Sequence, residues 1–108
     1  MSRARVRYAT IFIFPGGARG KSVTVNAAPE RLTVRPGDVI DWTVVNIANV
    51  PGRVSIAWKD GSPMRTDPDP FPRAGRGTVR TKVKAGVYRY SILLDGKEVF
   101  DPEVEIMQ

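Results

Sequence analysis

Basic residues recur at alternate positions in two parts of this sequence, around residues 3–7 and 80–84. Alternate side chains of a strand project from the same face, so each group forms a row of cations suited to phosphate or carboxylate. The sequence therefore predicts a polyanion-binding face, for nucleic acid or for an acidic protein surface. The same alternation is also typical of a solvated sheet face, or of charged edges that deter sheet pairing. The candidate residues are Arg3, Arg5, Arg7, Arg73, Arg76, Arg80, Lys82, Lys84 and Arg89.

An aromatic side chain and a long segment are the other candidates for binding. Trp58 ends an apolar run, where it could stack on a sugar or a base or pack in the core or at its rim. Residues 60–77 contain four Pro and three Gly, which excludes a helix or a central strand and predicts a long loop. Such a loop is either a recognition arm, with Met64 and Phe71 as apolar anchors, or an extended crossover.

The chain of 108 residues contains no His and no Cys. This excludes zinc fingers, iron–sulfur and blue-copper centres, disulfides, Cys nucleophiles and Ser-His-Asp triads. The sequence offers no nucleophile with a base beside it. We therefore expect a protein that is not an enzyme and has no metal or other cofactor.

Charge is distributed unevenly along the chain. The net charge is +6, with +6 over residues 1–35, +6 over residues 70–94 and −4 over residues 95–108. Basic and acidic regions of this kind predict docking onto a protein partner, or self-association in which the acidic end of one copy contacts a basic row of another. No apolar run is long enough for a leader or a membrane span, so we expect a cytoplasmic protein with no membrane partner.

The elements that must position these residues are strands. Alternating or apolar runs separated by Pro and Gly turns predict about seven or eight strands and no helix. This spacing is typical of a single antiparallel Greek-key β-sandwich spanning residues 1–108. Residues 78–84 are expected to form one strand, with residues 87–94 as its hairpin partner.

Three motifs resemble those of the cupredoxins, in the same order along the chain. RLTVRPGDVIDWTVVN (31–46) resembles the family's strand, Pro-Gly-Asp turn and aromatic strand ending in Asn. Residues 46–54 resemble its Asn…Pro-His-Asn-Val segment, and residues 86–90 its Gly-x-Tyr-x-Tyr strand. The similarity covers residues 22–106 and implies a cupredoxin-like β-sandwich.

The same resemblance places the family's copper ligands on residues that cannot replace them. The two His positions fall on Gly52 and near Asp95, the Cys position on Ile92 and the axial Met near Phe100. Blue copper requires imidazoles and a thiolate, so electron transfer through copper is not expected.

The function predicted from the sequence is thus a non-enzymatic binding or structural interaction module, acting alone or as one subunit of a larger assembly. Nucleic-acid binding through the basic face is one alternative. Residues 86–102 also resemble the end of glycogen- and starch-binding modules, which makes a carbohydrate-binding module the second alternative.

Overall fold

A computed structural model describes residues 4–16 and 23–108, and this part of the chain is all-β. Its strands follow one another without a helix between them. They are β1 (Val6–Pro15), β2 (Val23–Ala28), β3 (Arg31–Val34), β4 (Val39–Asn46), β5 (Val54–Trp58), β6 (Met64–Thr66), β7 (Ala74–Val79), β8 (Gly86–Leu94), β9 (Lys97–Phe100) and β10 (Glu103–Ile106).

The strands form two sheets that pack face to face. The first sheet has the order β2-β1-β4-β7-β6, and the second has the order β3-β10-β8-β5 with β9 paired to β8. One apolar core lies between them, because alternate residues of each strand point inward. On β1 these are Ala9, Ile11 and Ile13, each at most 2% exposed. The predicted β-sandwich is confirmed.

The sheets are mixed rather than purely antiparallel, and there are more strands than predicted. β1 pairs parallel to β4, and β3 pairs parallel to β10. Between β2 and β4 the chain crosses to β3 in the second sheet. When the chain returns to the first sheet as β4, it therefore runs in the same direction as β1.

The strand predicted over residues 78–84 is wrong, and so is its hairpin with residues 87–94. β7 ends at Val79 and pairs with β4 and β6, whereas β8 pairs with β5, β9 and β10. Residues 80–85 instead cross from the first sheet to the second. The alternating pattern predicted a strand because Val83 is apolar. This residue is buried in the crossing segment although it belongs to no strand.

The segment 60–77 also differs from the predicted loop. It contains β6 and the first residues of β7, a strand inside the first sheet. Gly75 and Gly77 fit there because neighbouring side chains fill the space that their own would take. A β-carbon on Gly75 would collide with the ring of Phe71, and one on Gly77 would lie 2.6 Å from the carbonyl oxygen of Thr66 and 2.7 Å from Cε of Met64.

Candidate functional site

Three segments far apart in sequence meet at one end of the sandwich, around the carboxylate of Asp38. This residue is 3% exposed. Its Oδ1 accepts the backbone N–H of Arg5 at 3.1 Å. Its Oδ2 accepts the backbone N–H of Arg35 at 2.9 Å and Nε–H of Arg7 at 3.3 Å. Asp38 thus holds the start of β1 against the turn between β3 and β4.

The crossing segment 80–85 is bound to the same end. The backbone N–H of Gly37 donates to the carbonyl of Arg80 at 3.2 Å. Gln108 adds a second tie, because its side-chain amide donates to the carbonyl of Val83 while its carbonyl oxygen accepts Nη1–H of Arg35. We call the six cationic side chains gathered there the basic pole. They are Arg5, Arg7, Arg35, Arg80, Lys82 and Lys84.

The basic pole differs from the predicted row in composition and in construction. Five of the nine predicted bases belong to it, but they come from loops and a strand end rather than from one strand face. The sequence reasoning missed Arg35. The signal that could have located it was its own Arg-Pro-Gly-Asp turn, which begins the tight connection into β4.

The other predicted bases lie elsewhere. Arg73 precedes β7, and its carbonyl accepts the N–H of Val44 near the end of β4 remote from the basic pole. Arg89 on the second sheet pairs with Asp60 at 2.9 Å. Arg3 lies outside the described residues.

Arg76 is neutralised on the first sheet by Asp41. Its Nε and Nη2 reach the two carboxylate oxygens at 2.5 and 2.8 Å, the fork geometry that suits arginine. The hydrogen bond from Arg76 lowers the pKa of the Asp41 carboxyl, and the arginine's charge acts in the same direction.

Acidic residues near the end of the sequence are likewise engaged within the chain. Lys59 lies 3.2 Å from Asp101 and 3.6 Å from Glu98. Arg31 pairs with Glu103 at 2.8 Å. The acidic strands are therefore largely compensated, whereas the basic pole contains a single carboxylate, which is buried.

Trp58 and the two proposed loop anchors are packed against the protein. The ring of Trp58 lies 4.9 Å from that of Tyr90, and its Nε1–H donates to Asp67 at 2.8 Å. Met64 and Phe71 are core residues, 7% and 4% exposed. Backbone hydrogen bonds of 2.8 Å in both directions join Phe71 to Val54 of the second sheet. In this structure neither anchor is available on the surface.

Apolar side chains instead reach solvent from the outward side of the first sheet. Tyr8 is 66% exposed, and Phe12 and Phe14 on the same strand stack with ring centroids 5.8 Å apart. Val45 lies beside Phe12 across the β1–β4 pairing. We call this surface the outer face. It consists of Val6, Tyr8, Thr10, Phe12, Phe14, Thr24, Asn26, Asp41, Thr43, Val45, Ala74, Arg76 and Thr78.

Comparison of the whole fold with solved structures identifies its type. A purple cupredoxin from Nitrosopumilus maritimus is similar with a TM-score of 0.51 and 18% identity, over 91% of this chain and 98% of that one. The fold is cupredoxin-like. At these identities the likeness concerns the fold alone.

Two further similar structures have lower scores. A pseudoazurin from Sinorhizobium has a TM-score of 0.46 and 18% identity, over 96% of this chain and 75% of that one. Reduced rusticyanin has a TM-score of 0.49 and 17% identity, over 99% of this chain and 82% of that one. No protein-family model and no curated protein matches the sequence.

The residues at the copper-ligand positions of this cupredoxin-like fold do not suit copper. Gly52 carries no ligand, and a β-carbon there would lie 2.8 Å from Oδ2 of Asp95. The carboxylate of Asp95 accepts the backbone N–H of Arg53 at 3.0 Å. Ile92 is a fully buried aliphatic residue that pairs with Phe100. Gly52 and Asp95 thus form a close contact between two loops, whereas Ile92 and Phe100 lie on the paired strands β8 and β9.

The described part of the chain lacks two further kinds of feature. It contains no group of three or more Asp or Glu residues placed to share a metal ion. No helix there has the length and apolarity that crossing a membrane requires.

Proposed function

We propose that this cupredoxin-like chain is a non-enzymatic interaction module, and that it associates with a second copy of itself through the outer face. The observation that carries the proposal is the exposure of Tyr8, at 66%, on a face that also presents Val6, Phe12 and Val45. Exposed apolar groups that lie together mark interaction surfaces, and aromatic residues are enriched in such interfaces.

The distribution of charge allows a second copy to occupy this face. Two chains of net charge +6 repel each other. The centre of the outer face adds little to that repulsion, because Asp41 and Arg76 neutralise each other there and the exposed Arg65 lies at the edge of the sheet on β6. The basic pole lies at the end of the sandwich, where Arg7 is turned toward Asp38 on the opposite side of β1 from Tyr8.

The absence of an enzymatic role is supported by the residue types present. The sequence lacks the imidazole and thiol groups that most acid–base and nucleophilic sites use. The sequence resemblance places the family's copper ligands on Gly52 and Ile92 and near Asp95 and Phe100, none of which supplies an imidazole or a thiolate.

The proposal is tested by light scattering coupled to size exclusion over a range of protein concentrations. We expect the mass to rise from 11.9 kDa toward twice that value. Because the contact is apolar, it should persist from about 0.1 to 1 M salt, a range in which exposed ion pairs are screened.

Two matched variants locate the contact. Tyr8→Asp adds a charge to the outer face and should leave a folded monomer. Val87→Asp adds the same charge at a site on the second sheet that is 44% exposed, and should still associate. A wild-type mass of 11.9 kDa at every concentration contradicts the proposal, as does equal weakening by both variants.

The proposal also places the chain in the cytoplasm. The lack of Cys supports this, since chains in reducing compartments do not rely on disulfides. Cell fractionation with an antibody against the chain tests it, and recovery with the exported fraction contradicts it.

A further inference from the structure

We propose that the basic pole binds the phosphate backbone of double-stranded DNA, independently of the outer face. The observation behind this inference is a concentration of uncompensated charge. Arg5, Arg35, Arg80, Lys82 and Lys84 are all exposed, and no described carboxylate lies within ion-pair distance of them.

The one carboxylate among the pole's segments does not cancel this charge. Asp38 is buried, and its oxygens already accept hydrogen bonds from Arg5, Arg7 and Arg35. It orders the backbone of two segments and leaves their cationic side chains at the surface. Repulsion among the cations is thus tolerated in the folded protein, and an anionic partner relieves it.

Two of the guanidinium groups are positioned before any ligand arrives. Nη2 of Arg80 donates to the carbonyl of Ser62, and Nη1 of Arg35 donates to the carbonyl of Gln108 at 3.3 Å. A guanidinium group has five N–H donors, so each of these side chains has further donors for a phosphate. Planar arginine forks match the oxygens of a phosphate.

The composition of the pole indicates a duplex backbone rather than exposed bases. Single strands are bound on rows of aromatic platforms. Beside the pole, the half-buried Tyr88 is tied through its hydroxyl to the carbonyl of Lys84, and Tyr8 is a single exposed ring on the outer face. The pole is formed by loops and a strand end, so it has no helix or strand pair to insert into a groove and read base edges. Binding should therefore be independent of sequence.

The experiment measures fluorescence anisotropy of a short labelled DNA duplex titrated with the full chain at several salt concentrations. Five exposed cations predict a slope of log K against log salt of about −4.5, which is a loss of about 500-fold for a fourfold rise in salt. A second duplex of unrelated sequence should bind equally well.

Matched double variants test the location. Lys82→Ala with Lys84→Ala removes two pole charges and should reduce the slope to about −2.7. Arg73→Ala with Lys97→Ala removes the same charge from exposed positions outside the pole and should leave the slope unchanged. Tyr8→Ser, which changes the outer face without adding a charge, should also bind DNA with the wild-type slope.

Four outcomes overturn the inference. They are the absence of binding at low salt, equal loss in both double variants, tighter binding of a single-stranded oligonucleotide, and displacement of DNA by polyglutamate at equal charge concentration. The last result would assign the basic pole to an acidic protein instead.

Discussion

The carboxylate of Asp95 fills the space beside Gly52, with Oδ2 2.8 Å from the place where a β-carbon on that glycine would lie. In the cupredoxin resemblance these two positions correspond to the pair of copper-binding histidines. Here the pair fixes two loops, because Asp95 also exchanges hydrogen bonds of 3.0 Å with the backbone of Arg53. In this chain the contact between Gly52 and Asp95 therefore has a structural role.

Gly52→Ala should destabilise the protein by more than backbone strain alone. Gly52 has φ of +128°, and Gly61 has φ of +109° with nothing within 4 Å of an added β-carbon. The loss of unfolding free energy in Gly61→Ala therefore reports backbone strain alone, about 1–3 kcal/mol. Gly52→Ala should cost more in urea unfolding, because the new methyl group also displaces the Asp95 carboxylate.

A double-mutant comparison isolates that contact. Asp95→Gly removes the carboxylate and introduces glycine, which tolerates the positive φ of 49° at this position. In this background, Gly52→Ala should cost no more than Gly61→Ala. If its cost is the same with and without Asp95, the side-chain contact has no energetic role.

Asp38→Ala should destabilise the chain by about 2–4 kcal/mol, because it leaves buried N–H donors without their charged acceptor. Asp38→Asn should regain only part of the lost stability, since an amide nitrogen replaces one of the two carboxylate oxygens that accept N–H groups. Asp69 is an exposed carboxylate, and Asp69→Ala should stay within about 0.5 kcal/mol of wild type. Equal effects at both positions in urea unfolding would show that Asp38 does not organise the basic pole.

The strands with strong alternation could be predicted because their pattern reports burial directly. β1, β4 and β10 follow it, and the sandwich follows from them. Residues 80–85 show the limit of this reasoning. One buried valine among cations satisfies the pattern of a strand, but only the topology reveals that this segment crosses between the sheets.

Tertiary contacts account for the remaining differences between the sequence-based prediction and the structure. The side chains of Met64 and Phe71 fill space above glycines of β7, and no local pattern shows which glycines a distant side chain will cover. The basic pole likewise depends on residues 5, 35 and 80 meeting at one end. The outer face was missed because the apolar run of β1 resembles that of a strand buried on both faces.

The ion pair between Asp41 and Arg76 predicts a specific acid dependence of stability. Hydrogen bonding to Arg76 lowers the pKa of the Asp41 carboxyl below its ordinary value of 3.8. The contribution of the pair is therefore fully present above that value, and is lost as pH falls through the lower pKa of the folded state. The stability difference between wild type and Asp41→Asn should shrink over this acidic range.

Asp69→Asn serves as the control for this measurement, since Asp69 is exposed and outside the pair. Because Arg76 is largely exposed, added salt should reduce the Asp41 effect. An Asp41→Asn difference that is constant from neutral to acidic pH would contradict a role for the pair in stability.

Tyr90 lies between two tryptophans at the centre of the core, and it predicts a dependence of stability on alkaline pH. Its hydroxyl accepts Nε1–H of Trp42 at 3.2 Å. Tyr90→Phe removes this acceptor and should cost about 1–3 kcal/mol near neutral pH, because the buried indole N–H is left unpaired. The loss is measurable by urea unfolding monitored by tryptophan fluorescence.

Burial raises the pKa of Tyr90 from its ordinary value of 10.0 to about 12, although the hydrogen bond from Trp42 acts in the opposite direction. A raised pKa means that folding favours the neutral phenol. The stabilisation is therefore fully present below pH 10 and is lost as pH rises through 12. The advantage of wild type over Tyr90→Phe should narrow across this interval, whereas Tyr8→Phe, at an exposed position, should keep the wild-type dependence. A constant advantage across the same interval would mean that Tyr90 ionises equally readily in the folded and unfolded chains.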